Sequence, residues 1–346
     1  MPIYSDRVTT AVRRRAARAV VVAAALALAV GLSACSTSAP AATASAALGA
    51  SPDPSATPTP SASVTSATAS ATSSAPAPVA SSSSSPTAQR TVDAVVTAAG
   101  VRQWLHCRGS GSVTVVVAAG LGAGASSWSG VRPSLERITR TCVYDRPGLG
   151  RSPARTDANR VVDAGLHARE LAALLAAAGE RGPFVIVGHS YGGLIARAFV
   201  HDFRSRVRGL LLAESVTPDD PTLGRFWTEA GHRVDMAASS AATGGGPKLG
   251  SLPLLVLSAS NPEGDHLGGP TYGQPAWMAT LWRTQQRADR GLSSDAIQVT
   301  ARSGHVLQQD DPPAVVEAVR ELVAGVRTGR HLRCSTAWAA VHATCR

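Results

Sequence analysis

Gly188-His189-Ser190-Tyr191-Gly192-Gly193 is the stretch around which this chain is read. Phe184 to Val187 precede it, a continuous apolar run of the kind seen in strands buried on both faces. Leu194 to Phe203 follow, with apolar residues at helical spacing. Gly-x-Ser-x-Gly between a strand and a helix is a nucleophile elbow. The sharp turn holds the serine in a strained backbone conformation and demands small neighbours, hence Gly188 and Gly192. The start of the next helix then favours negative charge beside the serine. Outside such a setting, the same residues would be no more than a glycine-rich turn.

Working outward, strands and helices alternate. Thr91–Ala99 and Val101–Cys107 read as two strands joined near Gly100, Val113–Ala119 as a buried strand, Trp128–Thr139 as a helix and Thr141–Asp145 as a short strand. Ala158–Ala178 reads as a helix stopped by Gly179. Val207–Ala213, Leu254–Ser258 and Ile297–Ala301 read as strands, and Pro312–Val326 as a helix with proline in its first turn. This alternation predicts an α/β domain over 91–330, its mostly parallel sheet covered by helices on both faces. Residues 216–251, between two strands, read as a small cap carrying Phe226, Trp227 and Met236, with Ala237–Gly246 as its mobile part. Trp277, Met278, Leu281 and Trp282 have the spacing either of a second pocket wall or of ordinary core.

The segment from Leu105 to His305 resembles an α/β-hydrolase. Besides the elbow, Ala119-Gly120-Leu121-Gly122 resembles that family's oxyanion loop. Tyr144 to Ser152 resembles its turn-rich segment, and Ser303-Gly304-His305 its catalytic-histidine loop, all in the family's chain order. The resemblance implies a serine esterase or lipase-like hydrolase. Ser190 would be the nucleophile and His305 the general base, with the backbone N–H groups of Leu121 and Tyr191 as oxyanion donors. The family's loop usually begins His-Gly; Ala119 stands in place of the histidine, so side-chain support for the loop is expected to be lost. Dehalogenases and epoxide hydrolases of this family carry aspartate where Ser190 stands.

The resemblance implies either of two places for the orienting acid. Glu263 and Asp265 follow the strand Leu254–Ser258, and Glu214 ends the preceding one. A carboxylate at the end of a buried strand needs a reason to be there, so Glu214 is preferred and Asp265 is the alternative; the bland reading of Glu214 is a strand cap. His189 is expected to point away from the site. The remaining histidines read as exposed or structurally bonded. No Cys-x-x-Cys or clustered histidine spacing points to a metal, and no cofactor is expected. The expected partner is a small-molecule ester or amide. The competing readings are an amidase or aminopeptidase, a cofactor-free haloperoxidase-like enzyme on the same triad, and a non-catalytic binding lipoprotein.

The N-terminus reads as an address. Arg13, Arg14, Arg15 and Arg18 precede the apolar run Ala19–Leu32, which is shorter than the ~20 residues that span a bilayer. Leu32-Ser33-Ala34-Cys35 resembles the bacterial lipobox. The expectation is a signal peptide over 1–34, a lipid on Cys35 and anchoring to the outer face of the cytoplasmic membrane. Ser36–Arg90 is almost wholly Ser, Ala, Thr and Pro, too poor in apolar surface to offset its ordering entropy, and reads as a tether. Four cysteines remain. Cys107–Cys142 with Cys334–Cys345, closing the tail 331–346, is the favoured pairing of three, and buried free thiols are the alternative. The formal charge of +10 includes five N-terminal arginines. Beyond residue 18 the arginines are scattered, which argues against nucleic-acid binding.

Overall fold

The computed structural model describes residues 90–157, 159–218, 220, 224–245, 248–261 and 276–346. Cys35, the signal and tether segments, Glu263 and Asp265 lie outside the described residues.

The chain opens with β1 (Val92–Ala98) and β2 (Val101–Arg108), then β3 (Thr114–Ala118), a 3-10 turn (Ala125–Trp128), α1 (Arg132–Ile138) and β4 (Arg140–Tyr144). α2 (Ala164–Ala177), β5 (Phe184–His189), α3 (Tyr191–Asp202) and β6 (Val207–Ala213) follow. The segment after β6 holds β7 (Phe226–Glu229), β8 (His232–Asp235) and α4 (Met236–Ala241). Then come β9 (Leu254–Ala259), α5 (Ala276–Arg290), β10 (Ala296–Ala301), α6 (Leu307–Asp310), α7 (Pro312–Thr328), α8 (Ala337–Ala340) and β11 (Thr344–Cys345).

Among the described residues, nine strands form one sheet in the order β1-β2-β4-β3-β5-β6-β9-β10-β11. Within it β4, β3, β5, β6, β9 and β10 pair in parallel, while β1, β2 and β11 add antiparallel edges. The pleat sends alternate residues to opposite faces. Val116 and Ile186 meet Leu171, Leu174 and Phe199 of α2 and α3 on one face. Val115, Val117 and Val187 meet Leu135, Val319 and Leu322 of α1 and α7 on the other. Because both faces are covered, these strands are apolar without a break.

Two expected helices are trimmed, for local reasons. The one expected at Trp128 begins only at Arg132, after a 3-10 turn, and carries Pro133 in its first turn. The one expected from Ala158 begins at Ala164. Val162 is bridged to Val234 of β8, and the Asp163 side chain accepts the Leu166 N–H as an N-cap. Within 216–251, β7 and β8 pair as an antiparallel hairpin, and α4 occupies part of the stretch expected to be mobile. Met236 is buried in the core rather than lining a cap, and the guanidiniums of Arg225 and Arg233 both lie against the Phe226 ring.

Cys107 and Cys142 sit opposite each other on β2 and β4 and are joined by a disulfide; a second disulfide joins Cys334 to Cys345. The first closes a loop of 35 residues. Constraining the unfolded chain by that much stabilises a fold by about 2–4 kcal/mol. Full reduction should therefore lower the melting temperature by roughly 5–15 °C. Calorimetry with and without reductant checks this, and an unchanged midpoint would refute it.

Candidate active site

β5 ends at His189 and α3 starts at Tyr191, so Ser190 alone makes the corner, with φ 53° and ψ −124°. Such a conformation costs an L-residue about 1–3 kcal/mol and persists only where the surroundings impose it. Here they do. The Ser190 N–H donates to the Ala213 carbonyl at 3.2 Å, and the Ser190 carbonyl accepts the N–H groups of Gly193 and Val216 at 2.9 and 3.0 Å. A side chain at residue 192 would collide with the Ala118 carbonyl, and one at residue 188 would come within 2.5 Å of the Gly192 carbonyl. The glycines thus let the elbow pack against β3.

One strand away, Glu214 leaves the end of β6 with φ 44°, its N–H donating to Leu257 O at 2.9 Å. Its side chain is fully buried. Oε1 accepts the Ala259 N–H and Oε2 accepts the Trp282 indole N–H, each at 2.5 Å. Oε2 also lies 3.6 Å from His305 Nδ1, within ion-pair reach though longer than a hydrogen bond. The burial that singled out Glu214 in the sequence is therefore accompanied by contact with the histidine loop. Asp265 offers no comparison, being outside the described residues.

His305 stands in the loop after β10, one-third exposed. The Gly304 N–H donates to Asp310 Oδ2 at 2.8 Å, which ties the loop to α6. The His305 ring meets Trp282 edge-on at 5.6 Å and lies 5.1 Å from the His189 ring. His189 does not point away from the site, contrary to expectation. Its Nε2–H donates to the His305 carbonyl at 2.8 Å, so the residue before Ser190 pins the histidine loop to the elbow. Sequence spacing could not have shown this bond, which spans 116 residues.

The loop Ala119–Gly122, the one expected to supply an oxyanion donor, lies against His189 and Ser190. A Cβ built on Gly120 would stand 3.2 Å from Ser190 Cβ. Tyr191 opens α3 with its side chain fully buried, its hydroxyl 3.3 Å from His167 Nδ1. Leu121 follows Gly120 in the loop and packs partly buried against the core. The expected loss of side-chain support at Ala119 does not occur. Arg146 Nη1 donates to Ala119 O at 2.8 Å, and Nη2 donates to Gly120 O at 2.6 Å. Nε and Nη2 of the same residue form a fork onto Glu229, both bonds at 2.7 Å. Glu229 Oε1 in turn accepts the Gly122 N–H at 2.7 Å. Both side chains are buried. Burial pushes the Glu229 carboxyl up, but the Arg146 charge and its hydrogen bonds outweigh this and hold it below the usual range. Glu229 comes from β7, so the hairpin after β6 braces the loop after β3. A lone glutamate in that segment carried no such signal in the sequence, and Arg146 entered only as one residue of the Tyr144–Ser152 motif.

This brace leads to a prediction. Glu229→Gln keeps the shape but weakens the hold on Gly122 and Arg146. It should lower kcat for an ester by about tenfold to a hundredfold, a fraction of the loss of a whole oxyanion donor, and leave KM nearly unchanged. Steady-state kinetics separate the two parameters, and a pure KM effect would contradict the reading.

Two buried histidines set an acid limit on stability. Burial, aided by the Arg146 charge, lowers His167 to about 3. Burial, aided by His305, lowers His189 to about 3. Both stay neutral in the folded chain while the unfolded chain protonates near pH 6.5. Unfolding thus takes up protons between about pH 6.5 and 3, and stability falls as the pH drops through that window. Each residue contributes about 1.4 kcal/mol per pH unit. Denaturant titrations at several pH values should show this slope, and His167→Asn should reduce it by about one proton's share.

Residues 113–316 match the family model described as alpha/beta hydrolase fold. An uncharacterized protein of Bacillus subtilis strain 168, YqjL, is 26% identical over 236 residues, covering 63% of this chain and 86% of its own. A thermophilic esterase from Thermogutta terrifontis superposes with a TM-score of 0.53 at 22% identity, covering 69% of this chain and 99% of its own. A candidate lipase from Acinetobacter baumannii gives 0.51 at 15% identity, with coverage of 69% and 93%. At these identities the superpositions show a shared fold.

Proposed function

The chain belongs to the alpha/beta hydrolase family and is a hydrolase of that fold; we propose that it cleaves a carboxylic ester through an acyl-enzyme on Ser190. The observation that carries this reading is the meeting of Glu214, His305 and the elbow. A fully buried carboxylate lies 3.6 Å from the His305 ring, and the His305 backbone is bonded to the residue before Ser190.

In this mechanism His305 takes the Ser190 proton as the oxygen attacks the ester carbonyl carbon. Charge that develops on the carbonyl oxygen is held by the N–H groups of Leu121 and Tyr191. The tetrahedral intermediate collapses, the alkoxide leaves, and His305 returns the proton to it. Water then attacks the acyl-enzyme, with His305 again acting as base, and releases the acid. Glu214 orients the ring and stabilises its protonated form through Nδ1. Trp282 positions Glu214 and walls one side of His305.

The test is a panel of p-nitrophenyl esters of graded chain length beside aminoacyl anilides, with fluorophosphonate labelling. Ester turnover and a Ser190 adduct are expected. Faster anilide turnover would make the protein an amidase, and no adduct on folded protein would make it a binding module. We propose further that Cys35 is lipidated after signal cleavage, which would hold the enzyme at the outer face of the cytoplasmic membrane. Mass spectrometry of the membrane-extracted protein checks this by looking for an N-terminal diacylglyceryl cysteine.

A further inference from the structure

The arginines that look scattered along the chain are gathered by its topology. Loops that lead into parallel strands all emerge at one edge of a sheet, and the loops that follow those strands emerge at the other. Ser190, Glu214 and His305 follow β5, β6 and β10 and occupy the second edge. The first edge carries Arg181 ahead of β5 and Arg204 and Arg208 at the entry of β6, all exposed. Arg108, exposed at the end of β2, pairs with Thr141 at the start of β4. α7 runs back from β10 to this same edge, where Leu332 N–H donates to Asp295 Oδ1 at 2.8 Å just ahead of β10. The exposed Arg330 and Arg333 flank that bond.

Acidic side chains do not neutralise this edge. Among the described residues, no carboxylate forms an ion pair with any of these six arginines. Glu180 is buried and bound by the Arg140 fork. Asp295 is buried between Leu332 N–H and His331. Asp202, at the end of α3, lies against His201 and Arg169. The only lysine, Lys248, lies exposed ahead of β9 and adds to the same side.

The chain also enters the domain here. Arg140 Nη2 donates to the carbonyl of Arg90, the first described residue, at 2.9 Å. The 89 residues upstream, including the apolar run and Cys35, therefore attach at the basic edge and not at the catalytic one. From the charge and the point of attachment together, we infer that this arginine-rich edge is a docking surface for anionic phospholipid headgroups. It would seat the domain on the membrane with the active-site edge turned outward. Each basic residue near an anionic membrane surface adds about 1 kcal/mol of attraction, whatever a lipid anchor supplies. The inference rests on the export reading and not on the ester chemistry.

The experiment uses the full chain in unlipidated form and co-sedimentation with vesicles of phosphatidylcholine alone or mixed equally with phosphatidylglycerol. The neutral vesicles register whatever the apolar run contributes. Binding should favour the anionic vesicles at low salt and lose that preference at about 0.5 M salt, where screening is short-ranged. The triple variant Arg181→Ser, Arg204→Ser, Arg208→Ser should bind anionic vesicles about a hundredfold more weakly. Its ester turnover and melting temperature should match the parent, since the three residues are exposed and far along the sheet from Ser190. Equal binding to both vesicle types would overturn the inference, as would an unaltered triple variant. Displacement of the anionic vesicles by duplex DNA at equal charge would reassign the edge to nucleic acid. Because the protein carries no lipid in this assay, failure here leaves the Cys35 proposal standing, and the reverse also holds.

Discussion

Alanine at position 190 is expected to lower ester turnover by roughly 10⁴- to 10⁶-fold while leaving the fold intact. The size of the loss follows from the role proposed for the hydroxyl. Without it no acyl-enzyme forms, and only the oxyanion donors and substrate positioning remain to act on water. The fold should survive because the elbow is held by backbone bonds to Ala213, Gly193 and Val216, which alanine keeps. Alanine also tolerates the φ of 53° no worse than serine does. Turnover, fluorophosphonate labelling and thermal melting measured on one preparation separate chemistry from folding. Retained turnover with a normal melting curve would end the serine mechanism.

Glu214→Gln should cost about 10³- to 10⁴-fold in kcat, because an amide can neither hold the ring in its working tautomer nor stabilise the imidazolium. It should also cost stability. The carboxylate uses both oxygens as acceptors, one for Ala259 N–H and one for Trp282 Nε1–H. Glutamine offers one acceptor oxygen, so one of these buried donors would face an NH₂ group, at about 1–3 kcal/mol. Trp282→Phe separates the two effects: it removes one donor and leaves the charge, so its kcat loss should be far smaller. If Glu214→Gln turns over normally, the acid role passes to Asp265, and Asp265→Asn becomes the decisive variant.

Much of this architecture was legible because its signals are local. β3 and β5 are unbroken apolar runs since helices cover both of their faces, and the glycines around Ser190 mark a turn that admits no side chains. Glu214 was legible for a related reason, as a charge placed where solvent cannot reach it. Helix starts were less legible. Asp163 capped α2 six residues later than its apolar spacing suggested, since Val162 was already taken by β8.

Local pattern thus carried the elbow serine, the chain order of the motif segments and the buried carboxylate that this protein is proposed to use. What it could not carry were contacts between residues far apart in the chain. His189 bonds to residue 305, Arg146 and Glu229 brace a loop from 27 and 107 residues away, and Trp282 reaches Glu214 across 68. The basic edge is of the same kind. Its arginines have no pattern in the linear chain, and they become one surface only because parallel strands must all be entered from the same end.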